Sequence, residues 1–234
     1  MAQTEPTQPR TVAVAGAAGA LARRTTERFA QHGWNLVLLA RPHHEAELRE
    51  RHPDAVVVGA DLADPGQAER AVRAAEERFG AIDALLNLTG GFAMQSAVEV
   101  QPEDLDAQIE AHLKTVMFTT RAALPRMLER RQGFVLGVAA AQPIRGGART
   151  SAYSAAKGAV LGYLRSLRSE VEPEGVAVSV LVPMGTIDTP ANRDAMPKAD
   201  PAKWIDPGEL ADAIHFLTTR SSRGRVAELH VHAR

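Results

Sequence analysis

The sequence predicts a doubly wound α/β fold, a parallel sheet of about seven strands with helices on both faces. Three observations point to it. Short apolar runs alternate with longer stretches of helical periodicity. The chain opens its first such pair with a turn carrying Gly16 and Gly19. No repeat, low-complexity tract or interdomain linker interrupts the alternation.

The expected strands are Thr11–Ala15, Leu36–Ala40, Ala55–Ala60, Ala84–Leu88, Phe134–Val138, Ala177–Val182 and Glu228–His232. Local stop signals separate them. Gly33 stands where the first helix needs a left-handed cap. Asp64-Pro65 reads as an N-cap followed by proline at the first helical position, and Gly80 closes that helix. A long helix is expected from about Asp104 to Arg131, with Pro125 kinking it or ending its regular part. Another starts near Thr150 or Ser151 and ends before Gly175. The stretch from Pro183 to Pro207 holds five prolines and little periodicity. It is long for an ordinary connection, which suits either a substrate lid or a rigid surface loop.

Composition narrows the class. At 234 residues and 45% hydrophobic, the chain suits one α/β domain over 11–234, preceded by a short disordered tail at 1–10. A net charge of -1 argues against nucleic-acid and membrane-surface binding. The absence of cysteine removes disulfides, thiolate metal sites and a cysteine nucleophile. No apolar run approaches the roughly 20 residues of a membrane span. The first ten residues lack the apolar core of a signal peptide, so a cytoplasmic location is the default.

The pair Tyr153 and Lys157 carries the chemistry. On a helix they project from one face, one turn apart. A nearby ammonium is expected to favour the phenolate and bring a tyrosine pKa down from about 10 towards neutrality. The pattern is weak alone. It gains weight from its place, two thirds along an alternating chain.

With the other motifs it resembles the short-chain dehydrogenase/reductase family over nearly the whole chain. In order these are Val14 to Ala22 with Gly16 and Gly19, Asp61-Leu62, Asn87-Leu88-Thr89-Gly90, the Tyr/Lys pair, and Val182-Pro183 with Ile187 to Pro190. Ala20, the run Asp188 to Arg193, Met196-Pro197, Ala199-Asp200 and Trp204 are similar to the dihydropteridine-reductase-like branch. The resemblance implies a Rossmann-type fold, a nicotinamide dinucleotide, a small-molecule substrate, and a dimer or tetramer paired through helices near 104–130 and 151–171. Ala155, Ala156, Ala159 and Leu161 are candidate pairing surface; the other reading is that they face their own sheet.

It also assigns the cofactor residues. Gly16 and Gly19, with Ala20 and Leu21 opening the helix, would receive the diphosphate. The family usually has glycine at Ala20 and Ala22, where a methyl could push the diphosphate outward; Ala20 is shared with the dihydropteridine-reductase-like branch, and alanine is tolerated at the last place in related fingerprints. Asp61 and Leu62 would lie near the adenine, Asn87 and Gly90 beside the adenosine ribose. Pro183 and Thr189 would face the nicotinamide, although Met184 stands where glycine is common and Thr189 lies one residue late. At the end of the second strand, Ala40-Arg41 replaces the carboxylate that holds a ribose 2′-hydroxyl. Arg41 can bind a 2′-phosphate, which favours NADP over NAD; the alternative is a solvated strand-end arginine.

For catalysis the resemblance gives Tyr153 as proton donor or acceptor and Lys157 as its partner and ribose anchor. Ala140 occupies the place of the catalytic serine, thirteen residues before the tyrosine, and His112 that of a relay asparagine. Gln142, Thr150 and Ser151 are nearby polar groups, each also readable as a loop hydrogen-bonder or helix cap. His112 suits proton relay through its free pKa of about 6.5, or is a helix histidine satisfied by a neighbour. His230 and His232 share a face of the last strand, but no convergent carboxylates join them and no metal is expected. The expected function is reduction of a small conjugated carbonyl or imine, as by dihydropteridine reductases. The competing classes are a dinucleotide-binding protein without turnover and a non-redox lyase or isomerase.

Overall fold

The apolar runs become strands because parallel pairing buries them on both faces. Every residue of β1, Thr11–Ala15, is buried. In the computed structural model, which describes residues 9–233, β1 pairs with β2 (Asn35–Ala40) on one side and β4 (Ala84–Asn87) on the other. With β3 (Val56–Gly59), β5 (Gly133–Val138), β6 (Val176–Pro183) and β7 (Glu228–Val231), they form one parallel seven-stranded sheet in the order β3-β2-β1-β4-β5-β6-β7. The strand order reverses between β1 and β4. Ligands of such sheets enter the crevice there, beyond the strands' carboxyl ends.

Helices α1 (Ala20–Gln31), α2 (Glu45–Arg51) and α9 (Pro207–Thr218) cover one face. Helices α3 (Pro65–Phe79), α5 (Thr115–Glu129) and α7 (Ser151–Val171) cover the other. The shorter α4 (Pro102–Ile109), α6 (Gln142–Arg145) and α8 (Pro190–Ala195) lie in the connections. The anticipated caps form: Gly33 and Gly80 adopt φ +71° and +81°, and Asp64 accepts from the Gln67 N–H.

One close approach places the chemistry. A Cβ on Gly137 would stand 2.4 Å from Leu164 Cδ1, so a larger residue there would displace the Leu164 side chain that seats α7 on β5. Lys157 lies seven residues before Leu164 and therefore on the same helix face. Its ammonium reaches the end of β5, donating to the Val138 carbonyl at 2.8 Å.

Three expectations need correction. The helix expected from Asp104 to Arg131 runs without interruption from Pro102 to Glu129, but its irregularity is a π-turn well before Pro125. Helix α4 ends at Ile109, a π-turn spans Glu110–Lys114, and α5 runs through Pro125 to Glu129. Thr115 closes this turn, its hydroxyl bonding back to the carbonyls of Ala111 and His112 within it. Pro125 and Arg121 both face solvent, where water can satisfy the carbonyl that the proline ring frees. Arg10 does not belong to a disordered tail: its guanidinium lies 4.2 Å from the Trp34 ring centroid and its carbonyl accepts from Asn35 N. Residues 1–8 lie outside the described residues. Finally, Ala156 is fully buried and Leu161 packs into the core of its own sheet, so neither offers pairing surface.

The segment 183–207 has its own structure. Ile187 pairs with Ile205 in a short parallel bridge, and Asp188 binds Arg193 through two hydrogen bonds of 2.6 and 2.7 Å. Among the described residues, no helix is long and apolar enough to cross a membrane, and no group of three His, Asp or Glu could hold a metal.

Candidate active site

The candidate residues gather beyond the carboxyl ends of the strands. Gly16 follows β1, Arg41 β2, Asp61 and Leu62 β3, Asn87 and Gly90 the end of β4, Ala140 β5, and Thr189 β6, whose last residue is Pro183. The main-chain N–H groups of Gly16 and Ala17 both donate to Leu39 O, tying the first turn to β2. Gly16 adopts φ +82°, and a Cβ there would lie 2.9 Å from the Thr89 backbone. The turn therefore closes against the β4 loop as only glycine permits.

Helix α1 starts at Ala20 with no side-chain cap and no acidic residue in its first turn, leaving N–H groups and the positive dipole end for an anion. The chain thus fits a dinucleotide diphosphate. Ala22 does not obstruct it as the sequence suggested. Its methyl is fully buried in the core with Val12 and Val14.

Other candidates are less convergent. Leu62 is buried in the core, and Asp61 Oδ1 accepts from Ala63 N in its own turn. Thr189 caps α8, its oxygen accepting from Asn192 N at 3.2 Å. Thr150 bonds Gly147 O and Ser151 opens α7 exposed, as loop and cap residues do. His230 lies 3.7 Å from Glu228, and His232 lies beside Arg145. Arg41 is exposed at the mouth of the β2 end.

The catalytic candidates do converge. Tyr153 and His112 meet ring edge to face, centroids 5.5 Å apart. The π-turn turns His112 inward until it is buried. Its Nε2 lies 3.0 Å from Gly91 O, which can only accept, so Nε2 carries the hydrogen and Nδ1 is a bare acceptor. That Nδ1 is buried without a partner. A Cβ on Gly90 would stand 2.5 Å from it and 3.5 Å from Lys157 Nζ, so glycine at φ +139° is what lets the β4 loop pass this close to both groups.

Burial sets the protonation states. It pushes Tyr153 up to about 12, opposite to the sequence expectation. Lys157 does not offset this, because its ammonium is turned to Val138 O. Burial lowers Lys157 to about 8. Burial first, then the Lys157 charge, lowers His112 to about 3, so it is neutral at working pH.

A stability prediction follows from His112. Its folded pKa lies below the ordinary 6.5, so its contribution is complete above pH 6.5 and fades as pH falls towards 3. Between pH 7 and pH 4.5 that loss amounts to about 2–3 kcal/mol. Thermal unfolding of the wild type should fall more steeply over this range than that of His112→Asn. Parallel curves would remove His112 from the acid sensitivity.

The comparisons with known proteins agree with this geometry. A family model described as short chain dehydrogenase matches residues 10–200. The chain belongs to the short-chain dehydrogenase family. Its class is therefore oxidoreductase. It is 29% identical over 230 residues to an uncharacterized oxidoreductase of Staphylococcus saprophyticus, covering 96% of this chain and 97% of that one. It is 36% identical over 137 residues to 2,3-dihydroxy-2,3-dihydro-p-cumate dehydrogenase of Pseudomonas putida, covering 58% and 53%. Among solved structures, levodione reductase superposes with a TM-score of 0.84 at 26% identity, covering 95% of each chain. ElxO, solved with NADP bound, superposes at 0.89 with 16% identity, covering 96% and 98%, a likeness of fold.

Sequence reasoning missed Phe92, whose ring meets Tyr153 edge to face at 5.0 Å. It also missed the hydroxyl ladder of Asn87, Thr119, Thr115 and Thr89 behind His112. A run of threonines at helical spacing beside β4 was the available signal.

Proposed function

We propose that the protein is an NADPH-dependent reductase of a small conjugated carbonyl or imine, close in chemistry to dihydropteridine reduction. The observation that carries this reading is the meeting of Tyr153, Lys157 and His112 beside the open turn that fits a dinucleotide diphosphate. Bound there, a reduced nicotinamide supplies hydride. Tyr153, held protonated by burial, donates the proton to the substrate's oxygen or nitrogen. Lys157 would steady the phenolate left behind, its ammonium turning from Val138 O towards the new charge. The bare Nδ1 of neutral His112 is an acceptor beside that ammonium and can orient it, while the proton returned to Tyr153 comes from solvent. Asp61 and Leu62 at the end of β3, Asn87 and Gly90 at β4, and Pro183 and Thr189 after β6 would border the adenosine and nicotinamide ends.

Ala140 shapes the substrate range. An ordinary ketone concentrates developing charge on one oxygen and needs a second donor. A conjugated acceptor spreads that charge, so Tyr153 alone suffices. Arg41, with no carboxylate beside it, supports a 2′-phosphate, and so NADP over NAD. Half-exposed Leu105 and Met117, on α4 and α5, support pairing of copies.

Two measurements test the reading. Calorimetric titration should show tighter binding of NADPH than of NADH, with Arg41→Ala losing most of the difference. Equal affinities would refute the NADP preference. The wild type should oxidise NADPH faster with quinonoid dihydropterin or a similar conjugated acceptor than with simple ketones, and Ala140→Ser should raise ketone reduction more. Tight NADPH binding with no oxidation by any conjugated acceptor would favour a second reading, nucleotide binding without turnover. One observation favours that alternative: Lys157 is engaged by Val138 O and does not lower the Tyr153 pKa.

A further inference from the structure

The loop after β4 crosses Tyr153 and is clamped at two points. His112 donates to Gly91 O at 3.0 Å on one side, and Gln95 N donates to Arg149 O at 2.7 Å on the other. Arg149 makes the second clamp from the left-handed region, at φ +62°. A long side chain adopts that conformation at a cost, and such strain concentrates where position matters. Between the clamps lie Phe92, Ala93 and Met94. Among the described residues, no hydrogen bond reaches these three.

Their large side chains are not tucked into the core. Phe92 is 47% exposed and Met94 54%. Yet Phe92 holds its ring at 5.0 Å and 80° from that of Tyr153, so a half-exposed aromatic ring borders the ring of the proton donor. A loop held at Gly91 and Gln95, presenting apolar groups to solvent beside Tyr153, is suited to receiving a ligand there.

We propose that Phe92, with Met94, is the surface that selects the substrate, and that the substrate is a flat apolar ring compound lying against Phe92. Its carbonyl or imine then meets the Tyr153 hydroxyl. The proposal rests on the reductase reading and narrows it. His112 and Arg149 are positioning residues for the loop. A ring against Phe92 gains stacking beyond its buried area, about 0.5–1.5 kcal/mol, which a puckered ring of the same size does not.

The test compares 1-tetralone with 1-decalone, which share a carbon skeleton but differ in flatness. Binding is measured by calorimetry with NADP saturating, for the wild type, Phe92→Ala and Phe92→Leu. Phe92→Ala should weaken 1-tetralone by about tenfold and 1-decalone by less than about threefold. Phe92→Leu should fall between, since it keeps apolar area but loses the ring. Equal losses for both compounds, no loss, or no binding of either by the wild type would overturn the proposal. So would a change of oligomeric state in Phe92→Ala by light scattering, which would make the patch a contact between copies. NADPH consumption is followed separately. Phe92-dependent binding without consumption sinks the reductase reading alone, and consumption indifferent to Phe92 sinks this proposal alone.

Discussion

Tyr153→Phe is expected to lower turnover by about 10²–10⁴. The substitution removes one hydroxyl and keeps the ring. Its edge contacts with Phe92 at 5.0 Å and His112 at 5.5 Å therefore persist, and the fold should melt as before. The effect is large because Ala140 supplies no second donor and the hydroxyls of Thr150 and Ser154 are turned to each other and to Gly147. Burial raises the Tyr153 pKa to about 12, so the group is protonated throughout the neutral range and acts as an acid from its resting state. NADPH affinity should change little. The measurement is steady-state NADPH oxidation with a conjugated acceptor, beside a cofactor titration on the same preparation. An unchanged rate would take the tyrosine out of the mechanism.

Lys157→Met is expected to abolish turnover and to make the protein more stable. Lys157 is buried, and its pKa falls from 10.5 to about 8. A base lowered in this way is charged in both states at pH 7, so the full cost of burying the ammonium is present there and disappears as pH rises from 8 to 10.5. The shift corresponds to about 3 kcal/mol. Methionine keeps the unbranched stem but leaves Val138 O without its 2.8 Å donor, which returns part of the gain. A net stabilisation of about 1–3 kcal/mol should remain, raising the melting temperature by about 2–4 °C for each kcal/mol. The gap should close as the pH approaches 10. A variant that melts lower at pH 7 would show that the Val138 bond outweighs the burial of charge. Stability given up for a charged group in a dry site is the usual signature of function.

Much of the fold was legible because it depends on local pattern. The apolar runs fixed the strands to within a residue at each end. Gly33, Gly80 and Asp64-Pro65 marked helix ends through chemistry that acts over a few residues. The position of Tyr153 and Lys157 one turn apart also follows from helical periodicity alone. What failed was whatever depends on partners distant in sequence. A kink or end was expected at Pro125, yet Pro125 faces solvent within a continuous helix and the irregular turn lies at Glu110–Lys114, where the Thr115 hydroxyl reaches back to backbone carbonyls. Ala22 was read as an obstacle at the diphosphate because spacing does not reveal that its methyl points into the core.

By itself the sequence determined the order of strands and helices, the glycine turn after β1 and the identity of the titrating groups. Those are properties of short segments, written in periodicity and residue type. Only the tertiary structure decided the protonation of Tyr153, Lys157 and His112. Proximity along a helix suggests that an ammonium lowers a phenol's pKa, but the ammonium's direction is set by Val138 on another element and by the close approach of α7 at Gly137. Burial, a property of the whole assembly, then outweighs the pairwise attraction and moves the tyrosine the other way.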